Sequence, residues 1–220
     1  MRYLYLDTSS SFLYAGIIED GKLIDSITEE MASDLSKIAL LKISEMFNSH
    51  NLKPNDIDKI LVVNGPGSFT GIRVGITIAK TYAWGLKKDI TTVTSLEAMA
   101  ISSNFKGYKV PLIDARRGYV YGAIFDEDNN EVFNACHISL EQLKEHINKL
   151  DKDVVIITND ELDLEYNKEE YKPDILKIVE KYKDRENVNP HFVNPEYLKL
   201  TEAEEKNNKN DWGSKKSRRK

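Results

Sequence analysis

Three stretches of this chain carry residue types that chemistry needs. Asp7-Thr8-Ser9 closes the apolar run Tyr3-Leu4-Tyr5-Leu6, and a carboxylate beside two hydroxyls can hold a metal-bound phosphate. Asp114-Ala115-Arg116-Arg117-Gly118 closes a second such run, Val110 to Ile113. Its planar guanidinium forks suit a phosphate or a partner's carboxylate. Between the two lies Asn64-Gly65-Pro66-Gly67-Ser68-Phe69-Thr70-Gly71-Ile72-Arg73-Val74-Gly75, where glycine N–H groups at a helix start suit an anion. Each stretch has a plainer reading. Asp, Ser and Thr after a strand satisfy their own backbone in Asx and ST turns, and turn statistics favour this for Asp7–Ser9. The paired arginines read equally well as an exposed, solvated hairpin turn. The glycine loop lacks G-x-x-x-x-G-K-[ST], and Pro66 removes one N–H, so an anion site is its weakest reading.

Nothing else in the chain assembles into a catalytic set. His50, His137, His146 and His191 include no i, i+4 pair and no His-Glu-x-x-His, so no metal site is expected. A Gly-x-Ser-x-Gly elbow is missing too. Cys136 falls inside an expected strand, where it packs rather than attacks.

The elements that position these residues follow from local pattern. Ile60-Leu61-Val62-Val63 is a buried strand, and Pro66-Gly67 after it signals a type II turn. Ser68 or Thr70 caps a helix over residues 68–86. On that helix Gly71, Gly75, Ala79 and Ala83 recur every four residues as one small-residue stripe. Such a stripe admits a close backbone, either inside an α/β core or, with the Trp84 edge, on a second protein. Arg73, Thr77, Lys80 and Trp84 form a more polar arc. Upstream, strands over 3–6, 12–18 and 22–28 make a meander, with Asp20-Gly21 as its hairpin turn. A helix over 34–48, with Asp34 near its start, carries more apolar surface than one narrow stripe needs. Strands follow at 90–93, 110–114, 119–125, 131–137 and 154–157, and helices at 95–101, 139–149 and 175–182. The order suggests two similar α/β halves, 1–104 and 105–200. Residues 201–220 are charged, lack an apolar period and read as a disordered tail.

Composition narrows the function classes. The net charge is −5, yet five of the last six residues are basic, so the remainder carries −10. An acidic body argues against a broad, independent nucleic-acid surface. No run approaches the roughly 18–20 apolar residues of a membrane span. The lone Cys136 excludes an intramolecular disulfide and fits a reducing cytoplasm.

With these motifs assembled, the chain resembles the TsaB (YeaZ) family. The resemblance rests on Asp7-Thr8-Ser9, on the run from Gly65 to Gly75, on Asp114 to Gly118 followed by Val120-Tyr121, and on Pro195-Glu196-Tyr197-Leu198. It implies an α/β, actin/hexokinase/Hsp70-like ATPase fold of two RNase-H-like halves with mixed sheets. It implies a non-catalytic subunit that dimerises with a TsaD-type transferase, the enzyme that threonylcarbamoylates N6 of adenosine 37 in tRNAs reading A-starting codons. A TsaE-type ATPase joins that complex, and tRNA is met through it. ATP or ADP and a divalent metal belong to the partner or the joint interface, with no cofactor held firmly by this chain. Partner binding is implied for the first two helices, through Leu35, Ile38, Leu41, Lys42, Glu45 and Met46 and through Gly71, Gly75, Thr77, Ile78, Ala79 and Tyr82. The same surface is expected to support a weak homodimer. Leu35-Ser36 stands where many relatives have a His-Ser pair, which removes a ligand. The competing expectation is an ATPase or phosphotransferase, with Asp7, Thr8, Ser9, Asp114 and Arg116 contacting nucleotide phosphate.

Overall fold

The computed structural model describes residues 1–31 and 35–199, with Leu35 and Ser36 described as backbone alone. The Asp34 cap, the Leu35-Ser36 departure and the charged tail therefore lie outside the described side chains. The first half holds β1 (Arg2–Asp7), β2 (Phe12–Glu19), β3 (Lys22–Glu30), α1 (Leu35–Ser49), β4 (Lys59–Val63), α2 (Phe69–Leu86), β5 (Asp89–Val93) and α3 (Ser95–Ser102). The second holds β6 (Tyr108–Asp114), β7 (Tyr119–Phe125), β8 (Glu131–Ser139), α4 (Leu140–Ile147), β9 (Val154–Ile157), β10 (Asn167–Glu169) and α5 (Ile175–Tyr182).

The two sheets repeat one plan. The first runs β3-β2-β1-β4-β5, and the second, read from its other edge, runs β8-β7-β6-β9-β10. In each, an antiparallel meander is followed by two strands parallel to the first. This is the actin/hexokinase/Hsp70-like ATPase fold with two RNase-H-like halves. The halves differ in one α-helix: α2 joins β4 to β5, whereas β9 reaches β10 through a loop.

Strands buried on both faces explain the continuous apolar runs. Along β1, Leu4 and Leu6 face α1 and α2 with Ile17, Ile60 and Val62. Tyr3 and Tyr5 face the other way, into a core shared with α3, α5 and, from the second sheet, Phe125 and Ile157. The far side of the second sheet is closed by Leu143 and Ile147 of α4. Hydrophobic burial of this kind stabilises by about 25 cal/mol per Å² removed from water.

Two lysines are drawn into the sheets, and each needs acceptors for its ammonium. Lys59 donates to the carbonyls of Lys183 and Arg185 at 3.0 and 2.8 Å, and Lys109 donates to Glu127 O and Asn129 Oδ1 at 3.2 and 2.7 Å. Burial lowers the pKa of both.

After α5 the chain returns to the first half. Val188 N–H donates to Ile90 O at 2.8 Å, covering the outer edge of β5, which is otherwise open to pairing. Lys80 Nζ donates to the His191 and Val193 carbonyls at 3.2 and 3.0 Å, and Glu196 N–H donates to Asn64 O at 2.8 Å. Residues 183–198, counted by sequence with the second half, thus form a strap over β5 and α2. Among the described residues no helix is long and apolar enough to cross a membrane.

Candidate functional site

The β1–β2 turn is where the first candidate chemistry lies, and it is closed. Asp7 is buried, and its Oδ1 accepts the Ser9 N–H at 2.8 Å in an Asx turn. Burial pushes the Asp7 carboxyl above its usual range, and the Ser9 hydrogen bonds only partly offset that. Thr8 is buried as well, and its hydroxyl donates to Gly71 O at 2.7 Å. Ser68 N–H donates to Ser9 O at 2.7 Å, and the Ser68 hydroxyl caps α2 by accepting from Gly71 N. The loop between β4 and α2 therefore wraps this turn. Its Gly65–Pro66 peptide is cis, in place of the expected type II turn. The Ser68, Gly71 and Ile72 N–H groups are spent on internal acceptors, which removes donors that a phosphate cradle would use.

The glycines of α2 serve the same closure. A Cβ on Gly71 would lie 2.0 Å from Thr8 O, and one on Gly75 would lie 2.4 Å from Thr8 Oγ1. Gly67 is constrained likewise by Ser9 O at 2.2 Å. Gly71, Gly75 and Ala79 are buried inside the chain, as is Met46 of α1. This corrects their expected place on a partner surface: the small-residue stripe admits the β1–β2 turn and the sheet behind it.

Asp114 repeats the Asx turn in the second half but stays exposed. Its Oδ1 accepts the Arg116 N–H at 2.8 Å, and its own N–H donates to Asp160 Oδ2 at 2.7 Å. Between the halves runs a cleft of about 610 Å³, lined among others by Ser10, Ser68, Asp114, Arg116, Asp160 and Tyr171. Ser9 reaches this cleft; Asp7 and Thr8 lie beneath it. The buried hydroxyl of Ser95 borders it without a hydrogen-bond partner among the described residues. Also among the described residues, no three His, Cys, Asp or Glu side chains are placed to hold a metal ion.

The open surface lies on the outer side of α1 and α2. Leu40 and Leu41 are 56% and 55% exposed, Phe69 is 52% and Trp84 is 64%. A groove of about 440 Å³ runs between the helices, lined by Leu40, Phe69, Arg73, Val74, Thr77 and Ile78. Of the residues expected here, Leu41, Glu45 and Thr77 are exposed, and Ile38, Lys42, Ile78 and Tyr82 are half-buried. Lys42 lies 3.8 Å from Glu29 and 3.7 Å from Glu45 in exposed ion pairs. Tyr82 turns inward, stacks on Phe47 and donates its hydroxyl to Pro54 O. The sequence reading missed Leu40, Phe69 and Val74. The arc of Arg73, Thr77 and Trp84 was the available signal, because it marks the outer side of α2.

The strap borders this groove. The Phe69 ring meets both the Arg73 guanidinium, 3.7 Å from its centroid, and the Tyr197 ring at 5.4 Å. Arg73 Nε also donates to the Tyr197 hydroxyl at 2.9 Å. A cation over an aromatic face is worth about 0.5–1 kcal/mol when exposed. This gives the Pro195–Leu198 motif a structural task, pinning the strap to the outer rim of α2.

Residues 27–175 match the model of the family described as TsaD, tRNA N6-adenosine threonylcarbamoyltransferase. The tRNA threonylcarbamoyladenosine biosynthesis protein TsaB of Bacillus subtilis (strain 168) is 30% identical over 223 residues, covering 94% of this chain and 97% of that protein. TsaB of Escherichia coli (strain K12) is 29% identical over 137 residues, 61% of this chain and 59% of its own length. Among solved structures, YeaZ from Pseudomonas aeruginosa superposes with a TM-score of 0.75 at 19% identity, covering 90% of this chain and 99% of that one.

Proposed function

The chain belongs to the TsaB family, whose members are named for tRNA threonylcarbamoyladenosine biosynthesis, and from that membership we propose that it is the non-catalytic subunit that docks and activates a TsaD-type transferase. The observation that carries this reading is the open apolar groove between α1 and α2. Leu40, Leu41 and Phe69 are exposed beside it, and large exposed apolar side chains grouped on one face mark interaction surfaces. Two helices offering ridges and a groove suit a second helix pair, the geometry of helix-on-helix packing. A related half-domain would supply such a pair, so the same face also accepts a second copy of this chain, weakly, when the transferase is absent. A TsaE-type ATPase, and a nucleotide with its metal, are assigned to the assembled complex.

The competing reading, nucleotide turnover by Asp7 and Asp114, finds less support. The first carboxylate is buried beneath the cleft, and both are committed to their own turns.

The test is size-exclusion chromatography with light scattering, using this chain, its cognate TsaD-type subunit and a Leu40→Asp variant. A charge on this exposed groove residue should abolish the heterodimer while leaving the folded monomer intact. A variant that still forms the complex would move the docking surface elsewhere. A wild-type chain that forms none would overturn the subunit reading.

A further inference from the structure

A second exposed surface lies at the end of the second sheet, where Arg116 and Tyr121 border the cleft between the halves. Side chains alternate along a strand, so Tyr119, Tyr121, Ala123 and Phe125 of β7 share one face. Ala123 and Phe125 are buried in the core between the halves. Tyr119 and Tyr121 continue past it, and His137, the register partner of Tyr121, stands beside them. The His137 ring lies flat on Tyr119, with centroids 4.8 Å apart and planes 3° apart. Tyr121 leans on the same ring at 5.5 Å. Tyr119 remains 44% exposed, and among the described residues His137 is the only ring stacked on it.

The turn beside this stack carries Arg116 and Arg117 at φ +66° and +57°. Left-handed backbone is disfavoured for a residue with a Cβ, and Gly would avoid that cost. Both side chains are exposed, and neither guanidinium makes an ion pair or hydrogen bond among the described residues. The neighbouring carboxylates are engaged: Asp114 by the Arg116 N–H, Asp160 by the Asp114 N–H. Internal packing thus uses neither the outer part of Tyr119 nor the two charges.

We propose that Tyr119 and His137, with Arg116 and Arg117, form a stacking site for unpaired RNA bases. A base extends the Tyr119–His137 stack, and the guanidinium groups meet the adjoining phosphates. Aromatic rings paired with arginine on an open sheet face are a physical basis for binding single-stranded RNA. The site is local, so it is compatible with an acidic body that offers no broad basic surface. It rests on the reading that the chain acts in tRNA modification, but not on α1 and α2 being the docking face.

The test uses the full chain, alone and assembled with the TsaD-type subunit. The probes are a labelled RNA hairpin bearing the anticodon loop and an RNA duplex of equal charge, read by fluorescence anisotropy at low salt. Wild type should prefer the hairpin. Tyr119→Ala should weaken hairpin binding about 5- to 100-fold, and Tyr119→Phe should stay within about twofold. The Arg116→Ala/Arg117→Ala double variant should flatten the slope of log K against log salt by about 1.4, the share of two phosphate contacts on a single strand. All variants should unfold cooperatively as wild type does and keep the heterodimer. Unchanged hairpin affinity in Tyr119→Ala, or no hairpin binding by wild type in either state, overturns the site. Loss of the heterodimer in Tyr119→Ala with RNA binding kept would make this a protein contact instead. If wild type forms no heterodimer, the docking reading fails, while hairpin binding by the isolated chain still decides this proposal.

Discussion

Gly75→Ala separates the two uses that a small-residue stripe can have. The added Cβ would meet Thr8 Oγ1 at 2.4 Å, whereas real Cβ atoms keep at least 3.0 Å, so α2 and the β1–β2 turn must part by roughly 0.6 Å. Overpacking a tight core costs about 1–3 kcal/mol. Replacing a helical glycine by alanine returns about 1 kcal/mol. The variant should therefore be destabilised by about 0–2 kcal/mol, measured as a lower urea midpoint at unchanged slope. Thr8→Ala alone loses the buried hydrogen bond to Gly71 O and should cost about 1–3 kcal/mol. Combined, the new methyl occupies the space the hydroxyl leaves, so the double variant should be about 1–2 kcal/mol more stable than the sum of the singles. The folded Gly75→Ala protein should still bind its partner, because Gly75 is buried in this chain. Two results would refute the reasoning. Additivity within about 0.5 kcal/mol would mean that Thr8 and Gly75 do not meet. Full stability with loss of the heterodimer would put the stripe on the partner.

Asp7→Asn tests the buried carboxylate by pH. A carboxyl whose folded pKa is raised favours the fold when protonated, and that stability is lost as pH rises through the folded value. Asparagine keeps an oxygen for the Ser9 N–H without the charge. The variant should melt higher than wild type at pH 7, with the gap closing as pH falls through the raised folded pKa and gone by about pH 4 in a thermal series. Arg185→Ala tests the strap. This side chain donates to Thr92 O at 2.9 Å and to Glu97 Oε1 at 2.7 Å, and it covers the Tyr182 ring. With Arg185 over a third exposed, its loss should cost about 1–2 kcal/mol. Burial alone would raise the Glu97 carboxyl, but the bonds from Arg185 and Thr94 hold it below its ordinary pKa. Their stabilisation is present above about pH 4.3 and is lost on acidification, so calorimetry should show wild type and variant converging there.

Much of the scaffold was legible because its signals are local. Asp20 and Gly21 both take positive φ at the hairpin where Asp-Gly placed it. Ile175, Ile178, Val179 and Tyr182 gave α5 its bounds, and all four are buried. Other features had no local signal. Asn167-Lys168-Glu169 is a polar edge strand without alternation, held by pairing to β9. The strap is held largely by its own backbone carbonyls, which accept from Lys59 and Lys80, so its placement leaves no side-chain period. At the site, the spacing of Gly71, Gly75 and Ala79 announced a close approach but not its target. Thr8 lies 63 residues from Gly71, and a distant backbone looks the same in sequence as a second protein.

The comparison of the two halves explains why one helix carries both the missing chemistry and the candidate surface. Asp7 and Asp114 end equivalent strands and accept the N–H two residues on, yet the first is buried and the second open. The α-helix present only on the first side is α2. Its inner face spends Gly71 and Gly75 on lying against Thr8, which seals the turn where a carboxylate would otherwise face the cleft. With Gly71, Ile72, Gly75, Ile76, Ala79 and Ala83 on its buried side, the helix has its other apolar residues on the far side. Phe69, Val74 and Ile78 are left on or near the outer face, beside Leu40 of α1. One packing decision therefore withdraws a candidate phosphate contact and exposes a groove. That coupling favours a subunit that binds a transferase over one that turns over nucleotide itself.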